Sequence, residues 1–341
     1  MTRAARGILV GLGVMGGYHL RVLREHPEAD LVAVVDPVHE RRERHGATNG
    51  LPAFESVAEA VAAVDADFAC IAAPARWLPE LATEALQADL AVLCEKPMGV
   101  DEDEAAKVVE EAEARGLLLA ADLVERCNPA VMALHAKLQA GDGGRVYQVH
   151  ARRLSPYPGR ESPTGVALDL ATHDVDVVRF LTDSEVSRVY AETAEREPRG
   201  REDLLSASLR LDSGTTGVLE VNWLTPTKVR QLSVTCETGM FVVDYLTQDL
   251  TYFQHPQADN EWDTLRMMRG TGEGDMVRYG IARREPLRVQ WDRFLAALRG
   301  EGAPAATGRD GLAALSIARA IQRSGEEHLP VAPAYRQVPA A

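Results

Sequence analysis

The sequence predicts an α/β protein of two parts: an N-terminal doubly wound parallel sheet, then an α+β domain with a large, mostly antiparallel open sheet. Three observations predict it. At 341 residues the chain is too long for one small core. Its first part alternates short, continuously apolar runs with helical stretches, the pattern of a parallel sheet covered on both faces. From Val146 onward apolar and polar residues alternate, as in an antiparallel sheet covered on one face.

Residues 7–10 are the first expected strand, and 14–25 a helix behind a glycine-rich turn. A second strand over 31–35 ends at Asp36. Further buried strands are expected at 68–72 and 90–94, with a helix over 78–86 between them. Asp101 has the position of a helix N-cap, with Glu104 three residues on as in a capping box, and Gly116 ends that helix. Residues 117–120 supply the last strand of this part. Asn128-Pro129 opens a helix that Gly141-Asp142-Gly143-Gly144 breaks. Alternating strands follow at 146–154, 187–194, 204–211, 218–223, 231–235 and 241–245. Asp212-Ser213-Gly214-Thr215 and Glu237-Thr238-Gly239-Met240 have the composition of hairpin turns. Helices near 289–298 and 312–324 close the chain. The expected domains are therefore 1–122 and 123–330, with a loosely held tail at 331–341.

Composition narrows the function classes. Hydrophobic content is 46%, and no apolar run approaches the ~20 residues a membrane helix needs. Two arginines in the first six residues are followed at once by strand and turn, so a secretory leader is not expected. The four cysteines are scattered without CxxC spacing, which suits reduced thiols in a cytoplasmic protein. A net charge of −14 argues against nucleic-acid and anionic-membrane partners, although a local arginine cluster can still receive a phosphate-bearing small molecule.

Gly11-x-Gly13-x-x-Gly16 falls between a strand and a helix, where a dinucleotide fingerprint belongs. Gly11 permits the tight turn, Gly13 lets backbone approach a pyrophosphate, and Gly16 allows close helix packing. The phosphates would rest on free N–H groups at the helix start. Asp36 ends the next strand, where a carboxylate can accept hydrogen bonds from a ribose. An acid there repels a 2′-phosphate and favours NAD over NADP, while Arg41 and Arg42 work in the other direction. The alternative is a turn that serves sheet geometry only.

Glu95-Lys96-Pro97 follows the 90–94 strand, placing Lys96 at the carboxyl edge where ligands bind in open α/β sheets. Pro97 biases Lys96 away from helix. The charge of an oxidised nicotinamide works against a neighbouring ammonium, so a lysine there is a usable proton acceptor. Downstream, Asp169 and His173 are four apart and share a face if helical, and Asp176 continues that face. A histidine held by a carboxylate can polarise or deprotonate a hydroxyl. Asp174 points elsewhere and suits structural contacts. His19 and His150, without comparable company, are taken as structural, and no cluster implies a metal.

These elements resemble the glucose–fructose oxidoreductase/inositol dehydrogenase (Gfo/Idh/MocA) family over nearly the whole chain. The resemblance rests on Gly11 to Gly16 with His19, on Glu95-Lys96-Pro97, on Asp169 to Asp176, and on Gly308-Arg309-Asp310-Gly311-Leu312 leading to Ala320 and Ser324. It implies a Rossmann domain followed by an α/β domain whose open sheet serves a homo-oligomer, dimer or tetramer. By the same resemblance Lys96, Asp169 and His173 are catalytic, and Gly11, Gly13, Val14, Met15, Gly16, Asp36, Glu95 and Lys96 bind the cofactor. Two segments, Glu125 to Val131 and Arg152 to Arg160, are similar to the branch acting at C3 of UDP-N-acetylglucosamine. That similarity implies substrate contacts from Glu125, Arg126, Asn128, Arg152, Tyr157, Arg160, Asp169 and His173, with Arg152, Arg153 and Arg160 placed to meet a diphosphate. Cys127 stands where that branch would have phenylalanine, and Ala121-Asp122 where Gly-His is usual. The leading expectation is an NAD-dependent dehydrogenase of a sugar or cyclitol secondary alcohol, best matched to C3 of a UDP-N-acetylhexosamine. An inositol or monosaccharide dehydrogenase, an epimerase or eliminase that recycles held cofactor, and a non-catalytic dinucleotide sensor are the alternatives.

Overall fold

Short, mostly apolar strands build the first sheet in the computed structural model, which describes residues 3–159, 164–198, 200–255 and 274–335. They are β1 (Ala5–Val10), β2 (Ala29–Val35), β3 (Ala53–Phe54), β4 (Phe68–Ile71), β5 (Ala91–Cys94) and β6 (Leu119–Ala121). Their order is β3-β2-β1-β4-β5-β6, with every pair parallel. The order reverses between β1 and β4, the switch point at whose carboxyl ends doubly wound sheets bind ligands. Helices α1 (Val14–Arg24), α2 (His39–Arg42), α3 (Val57–Ala63), α4 (Leu78–Gln87) and α5 (Glu102–Arg115) connect the strands. Local chemistry sets their ends. Ser56 Oγ accepts the Glu59 N–H at the start of α3. Asp101 accepts from Asp103 and Glu104 before α5, and Gly116 ends that helix at φ 65°.

The chain divides into two units: residues 1–127 with 285–318 and 334–341, and residues 128–284 with 319–333. This differs from the contiguous 123–330 domain expected from sequence. Helix α8 (Pro286–Leu298) returns to the first unit, where Trp291, Phe294 and Leu295 share a core with Leu9, Phe68 and Leu93. The first turns of α9 (Gly308–Glu327) belong there too. An apolar helix face shows that it is covered but not by which sheet, so sequence order supplied the wrong partner. The described start of the tail is held, since Val331 bridges Val189 and Ala334 O accepts from Ser316, whereas 336–341 lie outside the described residues.

In the second unit α6 (Pro129–Gln139) is capped by Asn128, whose Oδ1 accepts the Ala130 N–H, and α7 spans Thr172–Thr182. The sheet comprises β7 (Val146–Pro156), β8 (Val186–Ala194), β9 (Leu204–Leu211), β10 (Thr216–Asn222), β11 (Leu224–Cys236), β12 (Gly239–Asp244), β13 (Asp249–Gln254) and β14 (Met276–Tyr279). Its order is β14-β13-β12-β11-β7-β10-β9-β8, antiparallel except for the β7–β10 pair. Both hairpins expected from sequence form, joining β9 to β10 and β11 to β12.

Candidate active site

The glycine turn divides its labour between packing and openness. Gly11 has φ 92°, and a Cβ there would lie 2.5 Å from Ala72 O; at Gly16 it would lie 1.9 Å from Gly11 O. At Gly13 a Cβ would meet nothing within 4 Å. Gly13 is also the N-cap of α1, without a side-chain cap, so a cradle that a side chain would fill opens on the helix start. Val14 beside it is exposed and Met15 half-buried. Asp36 ties the turn to β2: Oδ2 accepts the Leu12 N–H at 2.8 Å, and Oδ1 accepts the Val38 N–H at 2.9 Å. Each carboxylate oxygen keeps a second lone pair for a ribose hydroxyl. Arg41 stands 3.5 Å from Oδ2, and Arg42 donates to the Asp36 carbonyl at 2.6 Å. These residues fit a dinucleotide.

Lys96, half-buried, follows β5 directly at the carboxyl edge of the sheet. The Lys96–Pro97 bond is cis. The Glu95 carboxylate turns inward, away from the cofactor role that the resemblance implies. Its Oε2 accepts the Lys96 N–H at 3.1 Å, and its Oε1 lies 3.3 Å from His19 Nε2. Asp122 Oδ2 lies 3.0 Å from the same nitrogen, while Trp291 donates its indole N–H to His19 Nδ1 at 3.1 Å. His19 therefore has company that sequence distance concealed, and its reading as a lone packing residue is corrected. The signal for Asp122 was an acid directly after an apolar strand.

Burial works against a charge on His19, whereas the Asp122 and Glu95 carboxylates pull its pKa up. A charged ring would set Nδ1–H against the Trp291 N–H. Since an indole can only donate, the neutral ring with its proton on Nε2 is the form that satisfies this geometry. His19, Glu95 and Asp122 offer ligand atoms within 4.8 Å of one another, the spacing of a cation site. A metal at Nε2 would have to displace that proton while Nδ1 is already committed to Trp291. The cluster thus suits a proton better than a metal.

In the second unit Asp169, buried, lies in a π-helical turn, Ala167–Ala171, which passes into α7 just before His173. Thr172 Oγ1 donates back to Leu168 O at 2.7 Å. Such turns recur at functional sites. Asp174 is structural, as expected: Arg153 Nε lies 3.0 and 2.9 Å from its two oxygens. Asp176 is buried, with Arg179 Nη1 3.9 Å away.

The expected arginine cluster does not form as one patch. Arg152 and Arg153 are neighbours on β7 and so point to opposite faces of the sheet. Arg152 pairs with Glu220 at 2.9 Å on the open face, whereas Arg153 is buried. Arg160 lies outside the described residues. Three other expected substrate contacts hold protein groups. Arg126 is buried and donates to Asp310 at 2.9 Å, Asn128 donates to Tyr245 O at 3.1 Å, and Tyr157 packs edge-on to Trp223 at 5.6 Å. Glu125 sits half-buried on a short 3₁₀ turn, Val124–Cys127. The Gly308–Asp310 stretch is likewise structural: Asp310 Oδ2 accepts from the Thr307 N–H and hydroxyl.

Residues 6–123 match the model of an oxidoreductase family with an NAD-binding Rossmann fold, GFO_IDH_MocA, and residues 131–242 match the GFO/IDH/MocA C-terminal domain. A myo-inositol dehydrogenase of Streptomyces leeuwenhoekii is 31% identical over 337 residues, spanning 94% of this chain and 97% of that protein. The UDP-N-acetylglucosamine 3-dehydrogenase of Acidithiobacillus ferrooxidans is 28% identical over 85% of this chain and 87% of its own. A crystal form of that enzyme superposes with a TM-score of 0.85 at 25% identity, over 96% of this chain and 99% of the other. The WlbA dehydrogenase of Bordetella pertussis, solved with NADH and UDP-GlcNAcA, gives 0.80 at 25% identity over 97% and 99%. The chain therefore belongs to the GFO/IDH/MocA family of NAD-dependent oxidoreductases.

Proposed function

We propose that this oxidoreductase oxidises a secondary hydroxyl of a sugar or cyclitol, with C3 of a UDP-N-acetylhexosamine as the leading substrate position. The observation that carries the reading is Lys96 at the carboxyl edge of a parallel sheet whose glycine turn opens at Gly13. Gly13 and the first N–H groups of α1 would hold the pyrophosphate of NAD, and Asp36 a ribose. Bound NAD supplies a hydride acceptor at C4 of its nicotinamide ring. Lys96 and His173 divide the proton work, one accepting the hydroxyl proton while the other polarises the oxygen. Asp169 orients the imidazole. All three residues are present, and a dinucleotide sensor would need none of them.

A relative named for a sugar nucleotide, similar in sequence and structure, and a similar structure solved with one bound support the leading substrate. A free cyclitol is the second reading, favoured by the separation of Arg152 from Arg153 and by the inositol dehydrogenase relative. Turnover of NAD with UDP-N-acetylglucosamine, N-acetylglucosamine and myo-inositol, followed by nicotinamide absorbance, decides between them. The leading reading expects the nucleotide sugar to be turned over well and its free sugar poorly. Inositol turning over as fast as any nucleotide sugar would transfer the assignment. Product without net absorbance change, with cofactor retained through gel filtration, would point to an epimerase or eliminase instead.

Assembly into a dimer or tetramer through the open sheet face fits the exposed Tyr190. It also fits a shallow depression of about 420 Å³ lined by His150, Glu192, Ser206 and Glu220. No described helix is long and apolar enough to cross a membrane.

A further inference from the structure

We propose that Glu95 is a positioning residue for Lys96, carrying one proton that it shares with Asp122 beside the Nε2–H of His19. This rests on Lys96 being the proton-handling lysine of the proposed reaction. Three observations on separate elements converge on it. Glu95 Oε2 accepts the Lys96 N–H, so the carboxylate holds the lysine's backbone from inside the sheet. Glu95 and Asp122 are both buried, and each has an oxygen close to the same imidazole nitrogen, at 3.3 and 3.0 Å. Neither Asp122 oxygen has a well-directed donor among the described residues.

Charge decides what fills that gap. With His19 neutral, two ionised carboxylates would place two negative charges in the interior with one N–H between them, a costly arrangement. One proton from water removes a charge and places a donor between the two carboxylates. Two buried carboxylates this close do not ionise together. The other groups facing Glu95 do not change the balance. Burial pushes the Cys70 and Cys94 thiols up, so both stay neutral, and Trp291 and Gln290 carry no charge. Burial first, and the charge of Asp122 second, push Glu95 up to about 7. Asp122 is the closer of the two to the Nε2–H, at 3.0 against 3.3 Å, and is therefore the better stabilised as a carboxylate. The proton therefore resides on Glu95 and leaves near neutral pH. Its departure puts a negative charge behind Lys96, favouring the ammonium just as rising pH works to remove it.

The chain has only four lysines, Lys96, Lys107, Lys137 and Lys228, and the exposed Lys107 and Lys228 serve as internal standards. The test is trace acetylation of the full-length protein with acetic anhydride across about pH 6 to 9, read peptide by peptide by mass spectrometry. Glu95→Gln keeps the size of the side chain but not its charge. It should raise Lys96 labelling at pH 8 about threefold or more relative to both standards, the effect of removing one neighbouring charge. An unchanged ratio overturns the proposal. Should Glu95→Gln not fold, the wild-type protein decides alone. A Lys96 labelling curve with an added inflection near neutral pH, moved to lower pH by Asp122→Asn, supports the shared proton; a curve parallel to Lys107 and Lys228 overturns it. Labelling needs no substrate, so its failure is distinct from failure of the catalytic reading, which Lys96→Met turnover tests.

Discussion

Arg153 and Asp174 form a buried ion pair within the second unit, with Arg153 Nε within 3.0 Å of both carboxylate oxygens. The pair draws Arg153 into the interior, whereas its neighbour Arg152 meets Glu220 on the open face at 2.9 Å. Arg153→Ala leaves Asp174 uncompensated and should destabilise the protein by ~3–5 kcal/mol. Arg152→Ala removes a half-exposed pair and should cost less than about 1 kcal/mol. Urea unfolding of the two variants measures the difference. Equal, small losses would contradict the structural role of Arg153.

Asp36 holds the glycine turn through the Leu12 and Val38 N–H groups, so Asp36→Ala loses both a ribose acceptor and the support of the turn. NADH affinity should fall by ~1.5–3 kcal/mol, or about 10- to 150-fold. Titration of NADH fluorescence checks it. Wild-type protein binding NADH and NADPH equally, with Asp36→Ala no weaker, would remove the assignment.

Lys96→Met and His173→Ala should each lower turnover by ~10²–10⁴-fold with NADH affinity nearly intact. Steady-state rates on the true substrate and a binding titration separate the two effects. Near-normal turnover in either variant would take that residue out of the proton chemistry.

Stability should carry the mark of Glu95. An acid whose folded pKa, about 7, lies above its unfolded value binds its proton more tightly when folded. Its contribution to stability is thus greatest below the unfolded pKa and declines as pH rises towards about 7. Glu95→Gln abolishes that decline. The melting temperature of the variant relative to wild type should therefore be higher at pH 8 than at pH 5. A constant difference would mean that Glu95 stays ionised throughout.

Much of the fold was legible because its signals are local. Continuous apolar runs announced buried parallel strands, and alternation announced the one-faced sheet. Asp101 and Gly116 marked the ends of a helix, and Gly11-x-Gly13-x-x-Gly16 with Asp36 marked a dinucleotide turn. Lys96 was likewise readable from a strand followed by its tripeptide. Less local features were missed. The return of α8 to the first core, the full length of β11 and the existence of β13 and β14 depend on partners distant in sequence.

By itself, then, the sequence determined the two sheet types, the dinucleotide turn and the residue types available for chemistry, because periodicity and turn preference act within a few residues. Only the tertiary structure decided which polar groups are spent on the protein itself. Arg126, Asn128 and Arg153 were candidate ligands for a substrate until folding brought Asp310, the Tyr245 carbonyl and Asp174 to them. His19 seemed alone until Glu95, Asp122 and Trp291, separated from it by 76, 103 and 272 positions, closed around its ring. A side chain's chemistry depends on the charges and donors within a few ångströms, and that neighbourhood exists only once the chain has folded.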